Sequence, residues 1–166
     1  MVENELLQEE LDILHRLTNY PLDFQAMSVV TNLYRAAQLL RSDMEREVLS
    51  PYKLSWTGFS LLYNLWIWGA METRKLAKSM GVTVATVSSI SNTLERKELC
   101  GREVDPRDRR LVLLHLTEKG KEVIEELYPK FNQGEKEFVS VLNTDEQKFL
   151  TQLLRRISKR MEVKED

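Results

Sequence analysis

Seven side chains between positions 83 and 96 are small or able to form hydrogen bonds, and they would share one side of a helix. At 100° per residue, Val84, Val87, Ile90 and Leu94 fall on the opposite side, with Ser91 among them. Ser, Thr and Asn can read base edges in a DNA major groove, and Ala or a Thr methyl can contact thymine. The predicted DNA-reading residues are Thr83, Ala85, Thr86, Ser88, Ser89, Asn92 and Arg96.

A simpler interpretation is that Ser and Thr merely fill an exposed helix. Both are poor helix formers, however, and a neutral surface would favour Glu, Lys or Ala instead. No bulky or acidic side chain stands at the front of this face, so it could approach a surface dense in donors and acceptors. The pattern therefore favours contact with a nucleic acid.

Two cations, Arg74 and Lys75, follow Thr73 in what reads as the first turn of the preceding helix. A cation there opposes the helix dipole and is unfavourable unless an anion is nearby. A phosphate at a helix N-terminus is favourable, and basic side chains would strengthen its binding. We therefore predict a phosphate contact at this position.

A short turn between two strand-like segments carries Arg107, Asp108, Arg109 and Arg110. A ribbon tipped with arginines can enter a narrow minor groove, where the negative potential is deepest. The neighbouring carboxylate could hold one guanidinium in place before docking. The alternative is a self-paired surface turn that contributes little.

Charge is distributed unevenly along the 166 residues. Residues 73–110 contain nine basic and five acidic side chains, whereas the remainder contains 15 basic and 21 acidic ones, for a net charge of −2 overall. A basic region in an otherwise acidic chain suggests a polyanionic partner at one surface.

Signals for other chemistry are weak. His15 and His115 are far apart in sequence, the single Cys100 excludes an internal disulfide, and no nucleophile stands with a matching acid and base. We therefore predict no catalytic residue, no metal site and no cofactor. A group of aromatic residues could line a pocket for a small-molecule effector, although core packing is the alternative: Tyr34, Tyr52, Phe59, Tyr63 and Trp66.

Hydrophobic periodicity and capping residues predict a mainly helical chain. Helices are expected over residues 3–18, 23–49, 55–68, 74–80, 83–97 and 117–142, with a last helix opened by a Thr144-x-x-Gln147 capping box. Asp23, Ser55, Thr73, Thr83 and Thr117 are the predicted N-caps. Residues 99–104 and 111–116 are strand-like and form a hairpin around the arginine-rich turn.

No stretch of the sequence is long and apolar enough to span a membrane, and the acidic N-terminus does not resemble a signal peptide. We therefore expect a cytoplasmic protein without membrane contact. At this length the chain can bury one substantial core, with room for an oligomerisation arm.

Two motifs give the sequence a specific resemblance. LAKSMGVTVATVSSI, residues 76–90, resembles the helix-turn-helix of the MarR family, and VDPRDRRLVLLHLTEKG, residues 104–120, resembles its wing and the start of the next helix. The resemblance extends over roughly residues 24 to 160. It implies a winged helix-turn-helix fold with a two-stranded β wing and a helical dimerisation region built from the N- and C-terminal helices.

Further expectations come from the family rather than from the residues alone. The resemblance implies a homodimer on a pseudo-palindromic operator in duplex DNA, Arg110 as the minor-groove arginine, Asp108 as its orienting partner, and effector binding between the dimerisation helices and the DNA-binding lobe. On this basis residues 1–50 form an N-terminal arm and dimerisation helix, 51–117 the DNA-binding lobe, and 118–166 the C-terminal dimerisation helices.

Two positions depart from the family pattern. Glu98 stands where glycine usually follows the recognition helix, so a left-handed cap there would be strained or absent. Cys100 stands where an aliphatic residue is common, and we expect it to be buried and inert.

These observations together predict a sequence-specific DNA-binding transcriptional regulator that acts as a ligand-responsive repressor. A winged-helix module that binds proteins and has lost DNA binding is the main alternative, but it predicts a neutral or acidic reading surface. A small-molecule enzyme is the third possibility, and no catalytic constellation supports it.

The wing prediction can be tested with Arg110→Ala. Loss of a minor-groove guanidinium should weaken operator binding by about 1 to 3 kcal/mol without unfolding the dimer. Gel-shift titrations across a salt series measure this, with thermal unfolding as the control for folding. Unchanged affinity at every salt concentration would remove the wing from the binding mechanism.

Overall fold

The computed structural model describes residues 6–105, 108 and 111–162. The chain divides into two compact units, Met1–Ser42 and Asp43–Asp166, which are described separately. Within the described residues, no helix has both the length and the apolar character needed to cross a bilayer. The predicted boundaries of the DNA-binding lobe, at residues 50 and 117, stay predictions.

The first unit contains two helices joined by a buried carboxylate. Helix α1 is Gln8–Leu17, and α2 is Phe24–Met44, which continues into the second unit. Asp23 caps α2 as predicted, because its Oδ1 accepts a hydrogen bond of 2.9 Å from the amide of Ala26. Glu10 of α1 accepts hydrogen bonds from Ser28 and Asn32 of α2, both at 2.7 Å. These bonds lower the pKa of Glu10, and the bond from the Ser28 hydroxyl is the largest cause.

The predicted helix over 23–49 changes geometry before it ends. After Met44 the chain makes a π-helical turn, Glu45–Leu49, and then a 3₁₀ turn, Ser50–Tyr52, that contains Pro51. Proline fits the first positions of this short turn because it needs no hydrogen bond from its nitrogen there. Lys53, with φ of 53°, ends the segment.

Helix α3, Trp56–Trp68, forms the centre of the second unit. The Ser55 hydroxyl caps it by accepting a bond of 3.1 Å from the Gly58 amide, as predicted. Leu61, Leu62 and Leu65 are buried along its length. Three later helices and one strand of this unit pack against α3.

A helix-turn-helix follows, formed by α4, Thr73–Met80, and α5, Val84–Arg96. Gly81 in the turn has φ of 63°, a left-handed conformation that glycine adopts at little cost. Thr83 caps α5 as predicted, with its hydroxyl 3.1 Å from the Thr86 amide. The predicted cap at Thr73 is wrong: Glu72 precedes α4 in an extended conformation and makes no side-chain cap.

The reason for that shift is a short strand. Strand β1, Met71–Glu72, pairs with β3, Val112–Leu116, which also pairs with β2, Cys100–Val104. The sheet is therefore three-stranded and antiparallel, in the order β1-β3-β2. A two-residue strand carries too little periodicity to be predicted from sequence, which is why only the two longer strands were expected.

Glu98 adopts the left-handed conformation that the family pattern assigns to glycine. Its φ is 61°, and the Leu99 amide after it bonds the Leu94 carbonyl at 3.0 Å. The cap is therefore formed, in a conformation that strains a non-glycine residue. The Glu98 carboxylate pairs with Lys119 at 2.9 Å and its carbonyl accepts a bond of 2.6 Å from the Thr117 hydroxyl. Both contacts help to hold the residue in place, and Lys119 lowers the pKa of Glu98.

Helix α6, Glu118–Phe138, starts against the backbone of Leu99, the residue before strand β2. The Thr117 hydroxyl caps it, as predicted, through the Gly120 amide at 3.0 Å. A Cβ atom on Gly120 would lie 1.8 Å from the Leu99 carbonyl oxygen, so only glycine permits this approach. The helix contains Pro129 and ends four residues earlier than predicted.

Helix α7, Thr144–Glu162, is capped one residue earlier than predicted. Asn143 Oδ1 accepts bonds from the Asp145 and Glu146 amides at 3.0 and 3.1 Å, and Glu146 accepts one from the Asn143 amide at 2.8 Å. The capping box is thus Asn143-x-x-Glu146, and the predicted Thr144-x-x-Gln147 box is wrong. Asn is a stronger N-cap than Thr. The side-chain amide of Gln147 donates from Nε2 to the Val139 and Leu142 carbonyls instead of completing a capping box.

Paired alanine substitutions distinguish the two registers. Asn143→Ala should lower the free energy of unfolding by about 1 kcal/mol, because two amide donors lose their acceptor. Thr144→Ala, at an exposed position in the first turn, serves as the matched control and should change stability little. Urea denaturation followed by circular dichroism gives both values. A larger loss for Thr144→Ala would restore the predicted register.

Candidate nucleic-acid interface

The face of α5 predicted to read DNA lies at the surface. Thr83, Ala85, Ser89, Asn92 and Arg96 are exposed, while Thr86 and Ser88 are half-buried. On the opposite side Val87, Ser91 and Leu94 are buried. Val84 departs from the predicted apolar side because it is exposed, so it adds an aliphatic surface beside Thr83 and Ala85.

Local hydrogen bonds already occupy several hydroxyl donors on this face. Ser88 donates to the Val84 carbonyl at 3.0 Å, and Thr93 donates to the Ser89 carbonyl at 3.2 Å. The Thr83 and Thr86 hydroxyl oxygens lie 2.8 Å apart. These bonds orient the hydroxyls and leave their oxygen lone pairs as acceptors.

Asn92 is held by Arg102, a residue outside the predicted DNA-reading set. Arg102, on strand β2, donates from Nη2 to Asn92 Oδ1 at 2.7 Å and to Ser91 Oγ at 2.8 Å. Its Nη1 pairs with Glu95 at 2.6 Å. No local pattern in the sequence indicates this contact, because Arg102 lies seven to eleven residues from its partners and on another element.

The N-terminus of α4 is arranged differently from the prediction. Arg74 and Lys75 are both exposed, as a phosphate contact requires. Lys75, however, pairs with Glu72 at 2.7 Å, and this contact raises the pKa of Lys75. The anion beside Lys75 is thus the Glu72 carboxylate of the protein itself. A phosphate would have to displace Glu72 in order to bind Lys75.

A second basic edge borders α5 where it meets the start of α3. Lys97 donates from Nζ to the Lys53 carbonyl oxygen. Both lysines, with Ser55, Ser89 and Thr93, line a depression of about 270 Å³ between the two helices. Lys53 falls outside the basic region identified from sequence, because only the fold brings residue 53 beside residue 97.

At the wing, Asp108 is among the residues that the structure describes, and the three neighbouring arginines are outside them. The Leu111 amide bonds the Asp108 carbonyl and the Asp105 amide bonds the Leu111 carbonyl, each at 2.9 Å. The predicted contacts of Arg107, Arg109 and Arg110 lie outside the described residues, and these sites stay predictions.

Two of the predicted effector residues line a cavity in the second unit. Phe59 and Tyr63 of α3 face a space of about 320 Å³ between α3, the end of α4 and α6. Phe59 stacks on Phe131 with ring centroids 4.0 Å apart, and Tyr63 stacks on Tyr128 at 5.5 Å. The remaining lining residues are Trp56, Ser60, Asn64, Ser79, Met80 and Glu135.

The other three predicted effector residues are placed elsewhere. Trp66 packs against Tyr128, 5.2 Å between centroids, without lining the cavity. Tyr52 donates to Glu126 at 2.6 Å, so its hydroxyl is engaged with α6. Tyr34 belongs to the first unit, where it is 65% exposed and accepts a bond from Gln38.

Cys100 is buried as predicted, with 3% of its surface exposed. Burial is the main cause that raises the pKa of the thiol to about 11, so the reactive thiolate is scarce at neutral pH. In the described part of the chain, no group of three or more His, Cys, Asp or Glu side chains is placed to hold a metal ion.

This architecture and its sequence match proteins of known family. The family model of the MarR family matches residues 54–112. The HTH-type transcriptional regulator YwaE of Bacillus subtilis is 52% identical over 157 residues, which is 93% of this chain and 92% of that protein. MhqR of the same organism, also an HTH-type transcriptional regulator, is 26% identical over 125 residues, 75% of this chain and 86% of MhqR.

Solved structures agree with the sequence matches. BpsR of Bordetella bronchiseptica, whose DNA binding is regulated by 6-hydroxynicotinic acid, has a TM-score of 0.72 and 30% identity, covering 79% of this chain and 98% of BpsR. Sco3205 of Streptomyces coelicolor, a MarR family regulator solved with DNA, has a TM-score of 0.76 and 24% identity over 83% of this chain and 88% of Sco3205, and shares the fold. The relatives are transcriptional regulators rather than enzymes, and the chain belongs to the MarR family of winged helix-turn-helix transcriptional regulators.

Proposed function

We propose that this regulator is a homodimeric, ligand-responsive repressor that binds a pseudo-palindromic operator in duplex DNA in the cytoplasm. The observation that carries the proposal is the exposed face of α5, where Ala85, Ser89, Asn92 and Arg96 stand clear of the core. A helix with such a face can enter a major groove about 12 Å wide and place side chains against base edges.

Cations around α5 support contact with phosphates. Lys97 follows α5 and lies beside Lys53, which precedes α3, and Arg74 is exposed at the start of α4. Phosphate contacts of this kind position a helix in the groove without carrying sequence information. The affinity should accordingly fall steeply with salt concentration.

Dimerisation is supported by apolar side chains that stay at the surface of each unit. On α2, Val30 is 64% exposed and Leu39 59% exposed, and on α7 Phe149 is 61% exposed. Exposed apolar surface on helices is costly in water and is typical of interfaces. A second copy of the chain is the occupant that the family resemblance implies, with half-sites roughly 34 Å apart or a multiple of that spacing.

The ligand response is supported by the aromatic cavity of about 320 Å³. Ser79 and Met80, which line it, immediately precede the Gly81 turn that leads to α5. A molecule bound there would contact the element that sets the position of the reading helix. BpsR provides a precedent, because 6-hydroxynicotinic acid regulates its DNA binding.

The DNA-reading face is tested with Ser89→Glu. A carboxylate at this exposed position would face the phosphates and weaken binding to the gene's upstream DNA at least about tenfold. Ser89→Ala is the matched control, since it keeps the close approach and adds no charge. Fluorescence anisotropy measures both affinities, and unfolding curves verify that both variants fold. Equal affinities for the two variants would contradict a DNA-facing α5.

The ligand response is tested by filling the cavity. Ser60 lines it and is half-buried, so Ser60→Leu should occupy the space while DNA binding is retained. A panel of small aromatic compounds, starting with 6-hydroxynicotinic acid, is screened for release of the wild-type protein from DNA. A compound that releases the wild type should not release Ser60→Leu. Equal release of both proteins would place the effector elsewhere.

A further inference from the structure

Arg102 connects the sheet to the reading face of α5. It lies on β2, where it is paired with Leu114 of β3 in the antiparallel register. From there its side chain reaches Glu95, Ser91 and Asn92 at 2.6, 2.8 and 2.7 Å. Ser91 is buried and Asn92 is exposed, so the guanidinium spans the boundary between the packed side of the helix and its open side.

The contact with Arg102 determines which way the Asn92 amide points. A guanidinium has five N–H donors and no acceptor, so the amide atom 2.7 Å from it has to be the oxygen. The two N–H donors of Asn92 then point away from Arg102. Rotating the amide by 180° would put two donors against each other and is strongly disfavoured.

The guanidinium itself is well fixed. The Ser91 hydroxyl accepts from Arg102 and donates to the Ser88 carbonyl at 3.0 Å, so its hydrogen is already committed to the helix backbone. Glu95 provides the charged partner, and Arg102 in turn compensates a carboxylate that borders the depression along Asn92 and Arg96. Three acceptors in different directions leave little rotational freedom for Arg102.

We propose that Arg102 is a positioning residue that makes Asn92 a hydrogen-bond donor toward DNA and so sets its base preference. This inference rests on the proposed function. An asparagine with both amide atoms available binds adenine bidentately, accepting from N6 and donating to N7. Arg102 occupies one of the two lone pairs of Asn92 Oδ1, so an adenine N6 amino group would have to share that oxygen with a cationic donor, while both N–H donors of Asn92 stay open. Asn92 therefore favours bases that present acceptors only, which are guanine through O6 and N7 and thymine through O4. Adenine loses its advantage at that position.

The experiment compares base preferences rather than affinities. A random duplex pool is selected with the full-length wild type, Arg102→Met and Asn92→Ala, and the enriched site is then varied one base pair at a time in anisotropy titrations. The position whose preference disappears in Asn92→Ala is the one that Asn92 reads. The wild type should prefer guanine or thymine there. Arg102→Met should shift the ratio toward adenine by roughly 5- to 100-fold, the worth of one bidentate contact.

Double substitution provides the control for a purely structural or electrostatic role. Loss of the Arg102 charge and exposure of Glu95 would weaken binding to all sequences equally, and that effect cancels in the ratio. In an Asn92→Ala background, Arg102→Met should leave the base preference at this position unchanged, because the amide is gone. Unfolding curves of every variant verify folding.

Three outcomes overturn the proposal. Arg102→Met with the wild-type base ratio would show that Arg102 does not act through the amide. A shift of the same size in the Asn92→Ala background would show that Arg102 reads the base directly. An unchanged preference in Asn92→Ala would show that Asn92 reads no base. In each of these the wild type still binds DNA, whereas failure of the wild type to select any duplex would overturn the proposed function itself.

Discussion

The packing of α5 against α3 is the interaction on which the rest of the structure depends. Leu61, Leu62 and Leu65 fill the centre of the second unit, and Val87 and Leu94 of α5 are buried in it. A helix buried along one side must present the other to solvent. The polar side of α5 is therefore exposed, because the apolar side is the one that packs in the core. The face that we propose to read DNA thus follows from the packing of the core.

The sheet is attached to this core through backbone contacts as well as side chains. Glu98 turns the chain out of α5 in a left-handed conformation, and its carbonyl accepts a bond from Thr117, which caps α6. Gly120 allows α6 to approach the Leu99 carbonyl. The end of α5, the start of β2 and the start of α6 thus meet within a few residues. This arrangement fixes the start of strand β2 relative to α5, and Arg102 on that strand contacts Asn92.

Ion pairs within the protein engage part of its basic region. Lys75 is matched by Glu72 and Arg102 by Glu95, so two cations of the basic region are compensated within the protein. Exposed pairs of this kind contribute little to stability, because water screens them. Their effect is on geometry, since a paired side chain is oriented before a ligand arrives. Net charge along the sequence identified the basic region, whereas the pairing decides which cations are already engaged.

The sequence by itself determined the helices, most of their caps and the exposed face of α5, because periodicity and capping depend on residues three or four positions apart. Asp23, Ser55, Thr83 and Thr117 are caps for that reason, and the MarR family was recognisable from two continuous motifs. Contacts between distant residues depended on the tertiary structure. The pairing of β1 with β3 displaced the cap from Thr73, Lys53 came beside Lys97, and Arg102 reached Asn92 ten residues away. No local pattern encodes such contacts, because each is set by how separate elements pack on a shared core.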